Sequence, residues 1–151
     1  AEVASASELG KTIDGFISKG NLVPLDIVVN TIVSAIKASS KDLILIDGYP
    51  RSVEQMTALD DVLRSQRNIK LKGVVEVEVS EQTARTRVLG RARGADDNDE
   101  VFDNRMQVYL RPINEIRAFY ERQGLLHTIS GEAGIDEIVS NLTNLLNTLK
   151  A

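Results

Sequence analysis

Apolar positions recur at helical spacing over several stretches and form short unbroken runs in others. Leu9, Ile13, Phe16 and Ile17 share one helix face. Ser5 and Glu8 stand before it in the form of a capping box, and Gly20 follows as a stop. Asn21-Leu22-Val23 reads as extended, because a residue before proline avoids the helical region. Pro24 then suits the first turn of a helix running to about residue 38, with Val28, Ile32 and Ile36 on its inner face.

The run Leu43-Ile44-Leu45-Ile46 is different in kind. It is continuously apolar and stops at Asp47-Gly48-Tyr49-Pro50-Arg51. That pattern predicts a strand buried on both faces, hence parallel, with a polar loop at its C-terminal end. A helix is expected over 53–66, a strand over 74–79 and a helix capped by Ser80 to about residue 91. A short charged loop covers 90–98. A long helix is expected over 99–122, with Phe102, Met106, Tyr109, Ile113, Ile116 and Tyr120 inward and a kink at Pro112. Residues 125–129 predict the third strand. Ile138, Leu142, Leu145 and Leu149 mark a last helix. Strands alternating with helices imply an α/β domain with a parallel sheet flanked by helices. Ligands then bind beyond the carboxyl ends of the strands, at Asp47–Arg51 and the loop after Ile129.

Composition narrows the function classes. The chain has 151 residues, which suits one domain, and a net charge of -4. An acidic chain lacks the basic footprint of a non-specific nucleic-acid binder. Eight of the eleven arginines nevertheless lie between Arg85 and Arg122, a bias that suggests a small anionic ligand. With no cysteine, disulfides and Cys-ligated metal sites are excluded, and the single His127 sits in a strand pattern. No apolar run is long enough to span a membrane and no signal peptide is visible, so a cytoplasmic location is expected. The first residue is Ala1, so the start of the chain is not taken as the natural start.

Four motifs carry candidate chemistry. Gly10-Lys11-Thr12 resembles the end of a phosphate-binding loop, but position 5 is Ser and the segment reads as helix interior, whose N–H groups are already committed. The bland reading is preferred there. Asp47 could hold the water shell of Mg²⁺, Gly48 permits close approach of a ligand, and Arg51 can grip phosphate with its planar fork. The same pentapeptide also reads as a plain strand-to-helix turn. Gln55 fits a capping box with Ser52, or its amide could read a base edge such as adenine. Arg85, Arg87, Arg91 and Arg93 crowd together with Arg105 on the next helix. They suit a moving phosphoryl group, or else a solvated face balanced by Asp96, Asp97, Asp99 and Glu100.

Taken together, Gly20-Asn21-Leu22-Val23-Pro24, Asp47-Gly48-Tyr49-Pro50-Arg51 with Gln55, Arg87-Val88-Leu89-Gly90-Arg91, Asp96-Asp97-Asn98 and Asn104-Arg105 resemble the adenylate kinase family. The resemblance covers nearly the whole chain. It implies a P-loop kinase-type parallel sheet with the N-terminal strand or strands missing. The chain would divide into a helical AMP-binding segment (1–40), core α/β (41–90), a short lid loop (91–98) and core α/β (99–151). The resemblance implies reversible phosphoryl transfer, ATP plus AMP giving two ADP, with Mg²⁺ and no zinc, in a monomer. The AMP pocket would be lined by Asn21, Leu22, Val23, Gly48, Tyr49, Pro50, Arg51, Gln55, Arg93 and Arg105. The catalytic arginines would be Arg51, Arg87, Arg91, Arg93 and Arg105. Arg87, Arg91 and Ala133 would serve ATP, and Asp47 would reach the metal through water.

The sequence departs from the family pattern in its short lid, in one extra residue between Arg93 and Asp96, and in the absence of an opening strand and glycine-rich phosphate loop. The 151 residues alone are therefore expected to be incomplete and inactive. The alternatives are a UMP/CMP kinase of the same fold, or a non-catalytic remnant that binds AMP or a partner surface.

Overall fold

Glycine and proline mark where the helices stop. The computed structural model describes residues 8–21, 23–91 and 98–150. Helix α1 (Glu8–Ile17) ends in a turn at Gly20, whose φ of 72° favours a residue without Cβ. Gly10-Lys11-Thr12 lies inside this helix. Lys11 pairs with Glu8 at 2.9 Å, and the Thr12 hydroxyl donates to the Glu8 carbonyl, so the phosphate-loop reading is discarded. The Ser5 cap proposed for this helix lies outside the described residues. Pro24 stands one position earlier than expected, as the N-cap of α2 (Leu25–Ala38) rather than inside its first turn. Helix α3 (Val53–Ser65) starts at Ser52, whose hydroxyl accepts from Gln55 N at 3.1 Å.

Strand β1 (Val74–Glu78) leads into α4 (Glu81–Arg91), which Ser80 caps by accepting from Thr83 N at 3.2 Å. The long helix expected over 99–122 is two helices. Helix α5 (Asp99–Leu110) and helix α6 (Ile113–Arg122) meet at a turn over Arg111 and Pro112. Proline supplies no N–H for the ladder and its ring crowds the preceding turn, so a break replaces the expected kink. Strand β2 (Leu126–Ser130) and α7 (Ile135–Lys150) complete the order.

The two strands pair in parallel, with Val74 opposite Leu126 and Glu78 opposite Ser130. This is the parallel sheet of an α/β fold flanked by helices. Met56, Ile116 and Tyr120 form its buried cluster, joined by Val53, Leu71, Val74 and Leu126. Burial pushes the Tyr120 phenol up to about 12. A polar staple ties α5 and α6 to β1. Arg117 donates from Nε to Glu76 Oε2 at 2.7 Å and from Nη2 to Glu76 Oε1 at 2.6 Å, and Tyr109 donates to the same carboxylate at 3.2 Å. A forked guanidinium with a second partner, Glu78 at 2.9 Å, keeps this strand carboxylate satisfied.

Residues 43–46 do not form the expected strand. They are extended but join no ladder, and Leu45 is 64% exposed. A strand needs a hydrogen-bonded neighbour, and among the described residues none reaches them. A cavity of about 1570 Å³ lies between this segment and β1, lined by Leu43, Leu45, Val75 and Val77, with Leu142 and Leu146 from α7. Val74 N donates to Leu125 O and Glu78 O accepts from Gly131 N. By the alternation of a parallel ladder, Val75 and Val77 therefore turn their N–H groups to the other edge, toward the cavity. The sheet has not closed over the gap. Among the described residues no helix is long and apolar enough to cross a membrane.

This open edge makes a residue-level prediction for the 151-residue chain. In amide hydrogen exchange, Glu76 and Glu78 should be protected while Val75, Val77 and residues 44–46 exchange at least about tenfold faster. Strong protection at Val75 and Val77 in a verified monomer would mean that the edge is paired after all.

Candidate nucleotide site

The strongest cation of the site is placed by a glycine. Gly48 has a φ of 71°, and a Cβ built on it would meet the Arg51 guanidinium at 2.5 Å. The side chain of Arg51 thus folds over Gly48 in space that only glycine leaves open. Tyr49 and Pro50 between them are joined by a cis peptide. Among the described residues no carboxylate pairs with Arg51, which is exposed at the cavity. A guanidinium held in a concave wall without an acidic partner is a ready receptor for an anion.

Gln55 holds the turn that carries Arg51. It is 4% exposed, and a buried amide has to find partners. Its Oε1 accepts from Arg51 N at 2.7 Å, its backbone carbonyl accepts from the Tyr49 hydroxyl at 2.7 Å, and its N–H reaches Ser52. Burial pushes the Tyr49 phenol up. The donor at Arg51 fixes the amide orientation, with Oε1 toward the backbone and Nε2 away from it. The capping role considered for Gln55 is therefore present, but it serves Arg51 rather than Ser52.

The second wall comes from the end of α1 and from α5. Asn104 Nδ2 donates to Lys19 O at 2.8 Å and to Asn21 Oδ1 at 3.0 Å, and Arg105 Nη2 donates to Ile17 O at 3.3 Å. Asn21, Asp47, Gly48, Tyr49, Pro50, Arg51 and Arg105 all line the one cavity. Val23, Gln55, Arg87 and Ala133 do not. Leu22 and Arg93 lie outside the described residues, and Arg91 is placed only as the last residue of α4.

Arg87 and Ala133 meet each other instead. Arg87 donates to the carbonyls of Gly131 at 2.5 Å, Glu132 at 3.3 Å and Ala133 at 3.1 Å. In return, Glu132 caps α4, accepting from Ser80 N and from the Thr83 hydroxyl at 2.8 Å. These bonds, the one from Ser80 foremost, pull the Glu132 carboxyl below its ordinary value of 4.5.

The family model described as Adenylate kinase matches residues 1–125. The chain is 72% identical to the adenylate kinase of Campylobacter concisus over 149 residues, covering 99% of this chain and 79% of that protein. It is 68% identical to that of Campylobacter fetus subsp. fetus (99% and 78%) and 65% identical to that of Helicobacter hepaticus (96% and 76%). The chain belongs to the adenylate kinase family.

The sequence places Arg85 in one cluster with Arg87, Arg91 and Arg93, which suits either a phosphoryl group or a solvated face balanced by acids. In the structure Arg85 pairs with Asp99 at 2.7 Å, contacts Asp103, and sits 4.6 Å from the Phe102 ring centroid. It staples α4 to α5, which is the balanced-charge reading. Glu132 and the Arg117–Glu76 pair were missed. Glu132 follows β2 but caps α4, a helix 52 residues earlier at Ser80, so no local capping pattern marks it. Arg117 and Glu76 are far apart in sequence and share no motif.

Two outcomes follow from this geometry. Gly48→Ala should displace the Arg51 guanidinium and strain a left-handed backbone by about 1–2 kcal/mol. Phosphate-dependent nucleotide affinity should fall at least about tenfold; unchanged affinity would separate Gly48 from the placing of Arg51. Glu132 is depressed in the folded state, so it stabilises the fold above the ordinary carboxylate value, and that contribution fades as pH falls through its own lower midpoint. An NMR titration should place the Glu132 midpoint below 4.5, and Ser80→Pro, which removes the N–H it accepts from, should bring it back up.

Proposed function

We propose that this chain supplies the AMP site and phosphoryl-transfer arginines of an adenylate kinase catalysing ATP plus AMP to two ADP, reversibly. The observation that carries the reading is Arg51, held over Gly48 without an acidic partner among the described residues, in a cavity that it shares with Asn21 and Arg105. The relatives from Campylobacter and Helicobacter, all adenylate kinases, support it.

In this reading Arg51 receives the AMP phosphate. Arg105, which lines the same cavity, meets the γ-phosphoryl group as its bond to ADP breaks and its bond to an AMP phosphate oxygen forms. Preorganised cations of this kind stabilise the transferring group without a covalent intermediate. Arg87, Arg91 and Arg93 complete the cationic surround, and Ala133 lies beside the ATP base. Asn21, Leu22, Val23, Tyr49 and Pro50 line the AMP pocket. Asp47 ends residues 43–46 with an exposed carboxylate, which suits Mg²⁺ held through its water shell, since that ion keeps several waters and needs few protein oxygens. Bound Mg²⁺ would neutralise charge on the ATP phosphates. The 151-residue sequence contains no glycine-rich G-x-x-x-x-G-K-[ST] loop, so the chain by itself is expected to show no turnover in a coupled ADP assay.

In this reading AMP is favoured over other monophosphates through the Gln55 amide, whose Oε1 is taken by Arg51 N, which leaves the Nε2 donors for a base edge. Substitution can part this role from capping. Gln55→Glu keeps an acceptor for Arg51 N but loses the amide donors. In the full-length enzyme it should lower kcat/KM for AMP relative to CMP and UMP, with a fall in melting temperature because the new carboxylate is buried. Gln55→Ala should also cost about 1 kcal/mol of stability. A Gln55→Glu enzyme with unaltered base preference would leave Gln55 as a cap alone. Arg51→Ala should cut kcat/KM for AMP about a hundredfold, from the loss of a charged phosphate contact plus misalignment; a full rate would remove Arg51 from the site.

A further inference from the structure

We propose that Asn104 is a positioning residue that docks the AMP-side loop 18–21 onto α5, setting the distance between Asn21 and Arg105. The inference rests on the adenylate kinase reading for its effect on AMP, while the joint itself rests on geometry alone.

The contact begins with Gly20. A Cβ there would come within 3.0 Å of the Val101 carbonyl oxygen and 3.1 Å of Arg105 Cγ. The loop backbone therefore lies directly against the first turns of α5, with Gly20 buried beneath it. The joint is closed at its rim by one amide. An asparagine NH₂ has two hydrogens, and those of Asn104 go to Lys19 O and Asn21 Oδ1, both on the loop. Nothing on its own helix takes them. The neighbouring residue, Arg105, reaches Ile17 O from the same side. Loop and helix are far apart in sequence, so only this docked arrangement brings Asn21 and Arg105 to one cavity.

The consequence is a bias between docked and undocked loops. Where only the docked form presents both walls to AMP, apparent affinity scales with its population. Loss of the two bonds lowers that population and weakens AMP without touching the ATP side. An aspartate at 104 is the sharp test. It matches asparagine in size and helix position, yet it has no donor for Lys19 O.

In the full-length enzyme, Asn104→Asp and Asn104→Ala should each raise KM for AMP about fivefold or more, the size expected for losing exposed hydrogen bonds, with KM for ATP held within about twofold. Thermal melts should stay close to the parent's. A variant with parental melting and parental KM for AMP overturns the proposal, as does an equal rise in both KM values. A parent that does not phosphorylate AMP overturns the adenylate kinase reading instead. The joint is then read by amide exchange, where Asn104→Asp should speed exchange at Gly20 and Asn21 about fivefold; unchanged rates there overturn it.

Discussion

The parallel ladder between β1 and β2 sets where everything else can go. In a parallel pair both strands end on the same side, so the chain leaves Glu78 and Ser130 next to each other. The start of α4 and the loop after β2 are therefore neighbours by construction. Their contact is then made by charge-assisted hydrogen bonds in both directions. Glu132 supplies the acceptor that the N-terminus of α4 lacks, and Arg87 supplies the donor for three consecutive loop carbonyls. Tyr120 and Ile116 of α6 close the other side of this small sheet against Met56 of α3.

The same ladder leaves one edge of β1 facing a wide cavity. Leu43, Leu45, Val75 and Leu142 line it, with Leu43 and Leu45 exposed and Val75 and Leu142 half-buried. Such a surface is what a sheet presents where a further strand can add, since among the described residues no strand pairs with this edge of β1. The matched segment is 79% of the Campylobacter concisus protein, so that relative is longer than the segment it shares with this chain. The candidate nucleotide site opens into this same cavity, so the packing of the sheet and the shape of the site are physically coupled.

Two glycines with positive φ serve the site by what they leave out. Gly48 leaves room for the Arg51 guanidinium, and Gly20 lets the loop after α1 touch α5. In each case an amide side chain secures the arrangement nearby, Gln55 for the first and Asn104 for the second. Backbone freedom and side-chain hydrogen bonding thus act as a pair. The arginines divide by their partners. Arg85 and Arg117 are spent on carboxylates, joining α4 to α5 and α6 to β1, while Arg51 faces the cavity without one among the described residues.

The sequence alone determined the helices, the two paired strands, the caps at Ser52 and Ser80, and the family, because these rest on periodicity and on short motifs within a few residues. It also exposed Gly10-Lys11-Thr12 as helix, since an amphipathic stripe competes with any loop there. It failed where a feature depends on a partner distant in the chain. The apolar run at 43–46 has the composition of a strand, but a strand exists only through hydrogen bonds to a neighbour, and among the described residues it has none. Pro112 marked a disturbance in a helix, and in the folded chain that disturbance is a break between α5 and α6 rather than a bend. Gln55 had two readings at sequence level, and the tertiary structure oriented its amide by the Arg51 N–H. The roles of Glu132, Asn104 and the Glu76–Arg117 pair were decided by folding alone. Each joins elements separated by tens of residues, and local pattern carries no information about which distant groups the chain will bring within hydrogen-bonding distance.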